Sequence, residues 1–145
     1  MDSQLRVVID TNVLFAALRS RRGASYALVS RLPSTKFQPV VSVPLYFEYQ
    51  DVLTRPGNMT GASSADDIKE FLRYFCSISH QQDVYFLWRP WLTDPRDEMV
   101  LEAAVASRSE YIITYNRRHY TDVQSFGISV VTPAAFLALP ILEDA

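Results

Sequence analysis

The sequence predicts an α/β protein with a central parallel β-sheet flanked by helices on both faces, and three observations predict it. Short apolar segments rich in valine and isoleucine alternate along the chain with segments whose apolar residues recur at helical spacing. The apolar segments contain few polar residues, as is typical of strands buried on both faces. The chain has 145 residues, 48% of them hydrophobic, so we expect one domain over residues 1–145 with a sizeable core.

The first half of the chain begins with a β-branched run that ends at Ile9, which predicts a buried strand. Asp10 follows this strand, and Thr11 or Asn12 is predicted to cap a helix that runs from Val13 to about residue 20. The next predicted elements are a helix at 25–32, a strand at 37–43 and a helix that starts at Ser42 and Pro44 and ends at Pro56.

The second half begins with a helix whose start is marked by Ser64 and by Asp67 three residues later, the arrangement of a capping box. Its apolar residues lie on one helical face. The remaining predicted elements are a strand at 84–88, a helix at 97–107, a strand at 111–114, an irregular or briefly helical segment at 116–126, a strand at 128–131 and a last helix at 133–139.

Composition excludes several classes of protein. No apolar run approaches the roughly 18 residues of a membrane span, and Met1–Arg6 lacks the features of a signal peptide, so we expect a cytoplasmic protein without a membrane partner. The single cysteine, Cys76, allows no internal disulfide and is predicted to be a small core residue. One cysteine and two histidines cannot form a structural zinc site.

Acidic residues occur where the predicted strands give way to helices. Asp10 follows the first strand, at the sheet edge where ligands bind in open α/β proteins, although a plain capping role is the alternative. Glu48 lies among apolar neighbours near the start of a helix. Either it interacts favourably with the helix dipole there, or it belongs to a functional site. Asp94 and Asp97 open another helix, as N-cap and reciprocal capping acid, and either could also face the sheet edge. The strand at 111–114 is followed by no acid.

The order and spacing of five segments resemble a PIN domain over nearly the whole chain. The segments are VVIDTNVLFAAL, a helix with Glu48 before DVLTRP, DPRDEMVLEAA, YIITYN and ISVVTPAAFL. The sequence is most similar to the VapC-like branch, the toxin components of toxin–antitoxin pairs. The resemblance implies a metal-dependent endoribonuclease that uses Mg²⁺ or Mn²⁺, an RNA substrate, an antitoxin protein as partner and a homodimer.

The resemblance also assigns the family's acids to positions in this chain. They fall, in order, on Asp10, Glu48, the less essential Asp94, and Asp97. The position of the usual fourth acid is Asn116. In the branch that this chain most resembles, Asn is common there and an acid follows three residues later, where this chain has His119. This departure leaves open an alternative, a PIN-like module that binds RNA or protein and cleaves weakly or not at all.

The chemistry of these residues suits a hard divalent cation, which prefers carboxylate oxygens and relieves the repulsion between converging acids. Asp10 and Asp97 are the predicted main ligands, and Glu48 orients a water or completes the set. Asn116 is predicted to bind through its carbonyl or through a water, whereas His119 is a ligand, a general acid or a surface residue. Side chains predicted to support the acids are Thr11, Asn12 and Thr114.

Cations and aromatic residues near the predicted site are candidates for RNA contact, with a solvated surface role as the alternative for each. Of the 14 basic residues only Lys36 and Lys69 are lysines, and the arginines that make up the rest suit bidentate contacts to phosphate. The net charge of −2, in contrast, does not indicate a nucleic-acid binder. The candidate cations are Arg19, Arg21, Arg22, Arg96, Arg117 and Arg118. Tyr115 and Tyr120 are predicted to stack on bases.

A third class of function is a phosphatase with an aspartate nucleophile after the first strand. Such an enzyme needs a second aspartate two residues after the first. The chain has Asn12 at that position, which counts against this alternative.

Overall fold

The computed structural model describes residues 4–59, 64–84, 92 and 94–143. The described strands are β1 (Leu5–Ile9), β2 (Phe37–Val41), β3 (His80–Gln81), β4 (Tyr111–Ile113) and β5 (Ser129–Val131). The described α-helices are α1 (Thr11–Arg19), α2 (Ala24–Ser30), α3 (Val43–Leu53), α4 (Ala65–Ser77), α5 (Pro95–Ser107), α6 (Pro133–Leu137) and α7 (Pro140–Glu143). Short 3₁₀ turns occupy Arg117–His119 and Val123–Phe126, in the segment predicted to be irregular or briefly helical.

The five strands form one parallel sheet in the order β3-β2-β1-β4-β5. The chain builds outward from the central β1 to β2 and β3, and then crosses to the other side of β1 to add β4 and β5. The order in which strands are added therefore reverses between β1 and β4, where Ile9 is in register with Ile113. In parallel α/β sheets the crevice at such a switch point is where ligands bind.

The core lies on both faces of this sheet. Val7, Val8 and Ile9 are successive residues of β1 whose side chains alternate between the faces, and all three are fully buried. Helix α5 packs against β1, β2 and β4, while α2 packs against α1 and α6. The predicted fold class, a parallel α/β sheet flanked by helices, is confirmed.

The prediction that Thr11 or Asn12 caps the first helix is wrong, because Asp10 is the N-cap. Its carboxylate accepts a hydrogen bond from the backbone N–H of Thr11 at 2.8 Å, and Asp10 is the single residue between the end of β1 and the start of α1. The Ser64–Asp67 capping box of α4 is present as predicted. Strand β2 ends at Val41, earlier than predicted, because the Ser42 hydroxyl caps α3.

Other differences lie in the second half of the chain. The polar pair His80–Gln81 forms a strand because it pairs with Val40 and Val41 of β2, and this strand was not predicted from the sequence. Of the strand predicted at 84–88, Val84 is not in a strand and the remainder lies outside the described residues.

Helix α5 starts at Pro95, two residues before the predicted start, because Asp94 is its N-cap. The predicted last helix ends at Leu137, and a separate short helix, α7, follows it. Cys76 is half-buried at the margin of the core rather than inside it.

None of the helices in the described ranges combines the length and the apolarity that crossing a membrane requires.

Candidate active site

The Asp10 carboxylate lies at the carboxyl end of β1 and is 8% exposed. Its Oδ1 accepts the capping hydrogen bond from Thr11. Its Oδ2 accepts hydrogen bonds from the Thr114 hydroxyl at 2.8 Å and from the Tyr120 hydroxyl at 2.9 Å. Three donors from three segments of the chain therefore fix the carboxylate at the switch point of the sheet.

Tyr120 connects this acid to a second one. The Tyr120 hydroxyl also lies 3.4 Å from Oδ1 of Asp97 in the first turn of α5, so two carboxylates share one hydrogen-bond donor. Burial, together with the charges of Asp10 and Asp97, raises the pKa of Tyr120, so the hydroxyl keeps its proton. The predicted stacking of Tyr120 on a base is wrong, because the residue is only 3% exposed.

Asp97 is held on its other side by His119, whose Nδ1 is 3.1 Å from Oδ2 of Asp97. Burial raises the pKa of Asp97, the charges of Asp10 and Asp94 raise it further, and His119 lowers it. The Asp97 carboxylate is hydrogen-bonded to the side chains of Tyr120 and His119, so it is not the reciprocal capping acid that the sequence predicted. Asp94 is the N-cap as predicted, accepting from the backbone N–H of Arg96 at 2.9 Å.

Glu48, on α3, is a half-buried acid that lines the same cleft. Burial raises its pKa most, Asp51 and Asp10 raise it as well, and Arg96 and Arg55 lower it. Asp10 therefore acts on the pKa values of both Glu48 and Asp97. Asp10 thus lies within electrostatic reach of an acid on α3 and of another on α5.

The cleft has a volume of about 310 Å³. The structure brings nine residues that the sequence singled out to its lining: Asp10, Thr11, Asn12, Glu48, Asp94, Arg96, Asp97, Asn116 and His119. Its wall also includes Phe15, Val52 and Asn58, so it is partly apolar. The carboxylates therefore face a shared open volume rather than separate stretches of surface.

Polar side chains also join the ends of β1 and β4. Asn12 donates to the Thr114 hydroxyl at 3.3 Å and accepts from the backbone N–H of Tyr115 at 3.3 Å. The backbone N–H of Asn116 donates to the Thr114 hydroxyl at 3.0 Å. Thr114 is fully buried, and its hydroxyl donates a hydrogen bond to Asp10. Of the three residues predicted to support the acids, Thr114 contacts Asp10 through its hydroxyl, Thr11 contacts Asp10 through its backbone, and Asn12 contacts Thr114 rather than an acid.

The predicted cations divide into three groups. Arg96 lines the cleft, and Arg117 and Arg118 line a pocket next to it. The three arginines that follow α1 or end it do not line either cavity, and the guanidinium of Arg19 lies 5.1 Å from the centre of the Phe15 ring.

The role of Tyr120 was missed in the sequence. Its two acidic partners are 110 and 23 residues away along the chain, so no local spacing indicates the contact.

The donor set fits a hard divalent cation in chemistry, because carboxylate oxygens predominate and two of the acids have raised pKa values. In the described part of the chain, no three His, Cys, Asp or Glu side chains are grouped closely enough to hold a metal alone. This does not conflict with magnesium, which usually keeps several waters and takes one or two carboxylates together with substrate phosphates.

Fold and site together define an α/β protein with a carboxylate-lined cleft at the switch point of a parallel sheet. A family model described as the PIN domain matches residues 6–118, well over half of the chain. The chain belongs to the PIN domain family. PIN domains are in general nucleases that use divalent metal ions, and the family indicates RNA binding. Comparison with curated proteins gives no match.

Proposed function

We propose that this protein is a Mg²⁺- or Mn²⁺-dependent endoribonuclease that hydrolyses phosphodiester bonds of RNA. The observation that carries the proposal is the contact of one buried hydroxyl, that of Tyr120, with both Asp10 and Asp97. It brings acids from two distant segments together at the edge where parallel α/β proteins bind ligands. Glu48 adds a third acid to the same cleft.

Asp10 and Asp97 are the residues that would hold the cation, with Glu48 completing the set directly or through a water. When bound, a divalent cation supplies an activated water near neutral pH and offsets charge on the scissile phosphate. The raised pKa of Glu48 suits this carboxylate for accepting a proton from the attacking water. Arg96, which lines the cleft, is placed to bind a phosphate oxygen.

His119 and Asn116 stand where the family's further acids are expected. His119 orients Asp97 through its 3.1 Å contact, and a protonated imidazole there would donate a proton to the leaving oxygen. Asn116 lines the cleft and offers a neutral amide oxygen to a cation or its water shell. In this proposal the two residues replace the missing carboxylate.

The test is cleavage of a structured RNA by the purified protein with manganese, with magnesium and with a chelator. Asp97→Asn removes one charged oxygen donor, and we expect it to lower the cleavage rate by about a hundredfold or more. Asp66→Asn is the matched control, because Asp66 is an exposed acid near the start of α4 and lies outside the cleft. Equal cleavage by all three proteins would reveal a contaminating nuclease, and no cleavage by any of them would contradict the proposal.

A second candidate function is a PIN domain that binds RNA or a protein without cutting. The observation that favours it is the replacement of the fourth acid by Asn116, together with the engagement of Asp97 by His119. RNA binding without metal-dependent cleavage, in the experiment above, would support this alternative.

The biological role that we propose is that of a cytoplasmic toxin held inactive by an antitoxin protein. The support is the resemblance of the five sequence segments to the VapC-like branch, whose members pair with antitoxins and form homodimers. We carry both the antitoxin partner and the homodimer over to this chain as parts of the proposal.

A further inference from the structure

A second pocket adjoins the acidic cleft at the carboxyl edge of the sheet. It has a volume of about 570 Å³ and is lined by Tyr115, Asn116, Arg117, Arg118, His119 and Thr132. Asn116 and His119 line the acidic cleft as well. The two cavities are therefore adjacent, with Asn116 and His119 at their common boundary.

The second pocket is basic where the first is acidic. Among the described residues, its lining contains no acid. Arg117 and Arg118 are exposed, and within the described ranges neither forms an ion pair with a carboxylate. Two exposed guanidinium groups that pair with no acid of the described residues, beside a cleft proposed to hold a phosphodiester, are suited to the neighbouring phosphates of the same strand.

Tyr115 adds an aromatic surface to this pocket. The residue is 47% exposed, yet its hydroxyl is hydrogen-bonded to the Ser25 hydroxyl at 2.6 Å. Its backbone N–H is bonded to the side chain of Asn12. The ring is thus anchored at both ends and remains accessible, so a base can stack on it without first ordering a mobile side chain.

We propose that this pocket is a subsite for single-stranded RNA, in which an unpaired base stacks on Tyr115 and the adjoining phosphates contact Arg117 and Arg118. The inference rests on the proposed function, since it places the cut phosphodiester in the acidic cleft. A paired base cannot reach the Tyr115 ring, because duplex bases are stacked on each other and only an unpaired base can be turned out. The site therefore selects unpaired segments of RNA over helices.

The test measures binding without cleavage, by fluorescence anisotropy in the presence of a chelator. The probes are a labelled mixed-sequence single-stranded RNA of about 12 nucleotides and the duplex of the same sequence. We expect Tyr115→Ala to weaken single-strand binding by about tenfold with little change in its salt dependence, and to leave duplex binding unchanged. Tyr115→Phe keeps the ring and should bind within about twofold of wild type.

The charge contribution is tested with the double variant R117Q/R118Q. It should weaken single-strand binding by about tenfold and reduce the slope of log K against log salt by about 1.4, as the loss of two phosphate contacts predicts. The matched control, K69Q/R73Q, removes the same charge from α4, whose two cations line neither cavity. Circular dichroism confirms that each variant is folded.

The outcomes separate this inference from the proposed nuclease activity. Equal affinity for single strand and duplex, no effect of Tyr115→Ala, or an equal loss in K69Q/R73Q would each overturn the subsite. Binding as expected by a protein that cleaves no RNA would overturn the nuclease and leave the subsite standing. Absence of binding to either RNA would overturn the subsite and point to a protein ligand for this pocket.

Discussion

Tyr120 is a neutral donor placed between two acids, and its position explains how Asp10 and Asp97 are held together. A phenol hydroxyl has one hydrogen, and the shorter contact, 2.9 Å, is to Asp10. The contact to Asp97 is longer, 3.4 Å, so this acid receives less compensation for its burial. The difference agrees with the raised pKa of Asp97, whose main cause is burial.

Tyr120→Phe removes this donor and keeps the ring. We expect it to lower the free energy of unfolding by about 1–3 kcal/mol, since two buried carboxylates lose a hydrogen-bond partner. Chemical denaturation of the metal-free protein measures the change, and Tyr26→Phe, at an exposed tyrosine of α2, is the control. If the two variants are equally stable, the hydroxyl does not stabilise the acid pair.

Tyr120 also gives a pH dependence with a defined sign. Because its pKa is raised in the folded state, the unfolded chain loses the phenolic proton first, at about pH 10. The stabilising effect is therefore complete below that pH and is lost as the pH rises above it. Tyr120→Phe should make the unfolding free energy less dependent on pH in this alkaline range.

The junction of β1 and α1 gives Asp10 a structural role in addition to its proposed role in the site. Its two oxygens accept from one backbone N–H and two hydroxyls, and a carboxylate serves all three because both oxygens are acceptors. An amide at this position has one acceptor and one donor. Whichever way it is turned, its NH₂ group faces another donor.

Asp10→Asn should therefore destabilise the protein, by about 1–3 kcal/mol, as well as impair metal binding. Equilibrium unfolding in urea measures the loss, with Asp66→Asn again as the control at an exposed helix start. Unchanged stability in Asp10→Asn would mean that the hydroxyl donors reorient without cost, and that the junction does not depend on a charged cap.

Elements that are defined by local chemistry could be predicted from the sequence. The capping box of α4 needs only Ser64 and Asp67, and the cap of α5 needs only Asp94 before Pro95. His80–Gln81 could not be predicted, because these residues form a strand only through their pairing with β2. The cap of α1 was assigned to Thr11 or Asn12, with capping by Asp10 only as an alternative, because three successive polar residues could each cap a helix.

The candidate site shows the same division between local and long-range information. The acids could be placed at strand ends and helix starts, since topology brings those points to one edge of the sheet. The side chain that joins them, Tyr120, could not be identified, because it lies in an irregular segment far along the chain from Asp10. Arg117 lines a pocket beside the site and Arg19 does not, and this difference likewise depends on where the loops lie.

The molecule as a whole places opposite charges side by side at one edge. An acidic cleft adjoins a pocket with two arginines, and the net charge of −2 does not reveal this arrangement because it sums charges of both signs. Acids that repel one another raise the free energy of the metal-free folded state. A bound cation reverses that effect, so the stability of the whole domain should report on the cleft.

Asp97→Asn separates the repulsion between the acids from the stabilisation by a bound cation, because the two effects change the stability in opposite directions. The pKa of Asp97 is raised in the folded state, so its ionised form destabilises the metal-free protein at neutral pH, and this penalty disappears as the pH falls through the folded pKa. We therefore expect Asp97→Asn to raise the melting temperature of the metal-free protein by a few degrees at pH 7, with a smaller difference at pH 4.

Manganese should have the reverse effect on the same pair of proteins. A ligand that binds only the folded state stabilises it by mass action, by about 2.7 kcal/mol at a hundred times its Kd, so the wild-type melting temperature should rise. Asp97→Asn lacks one charged donor and should show a much smaller rise, while Asp66→Asn should behave as wild type. Scanning calorimetry with and without manganese measures both shifts. An equal manganese shift in wild type and Asp97→Asn would place the cation elsewhere, since a cation in the cleft must feel the loss of that carboxylate.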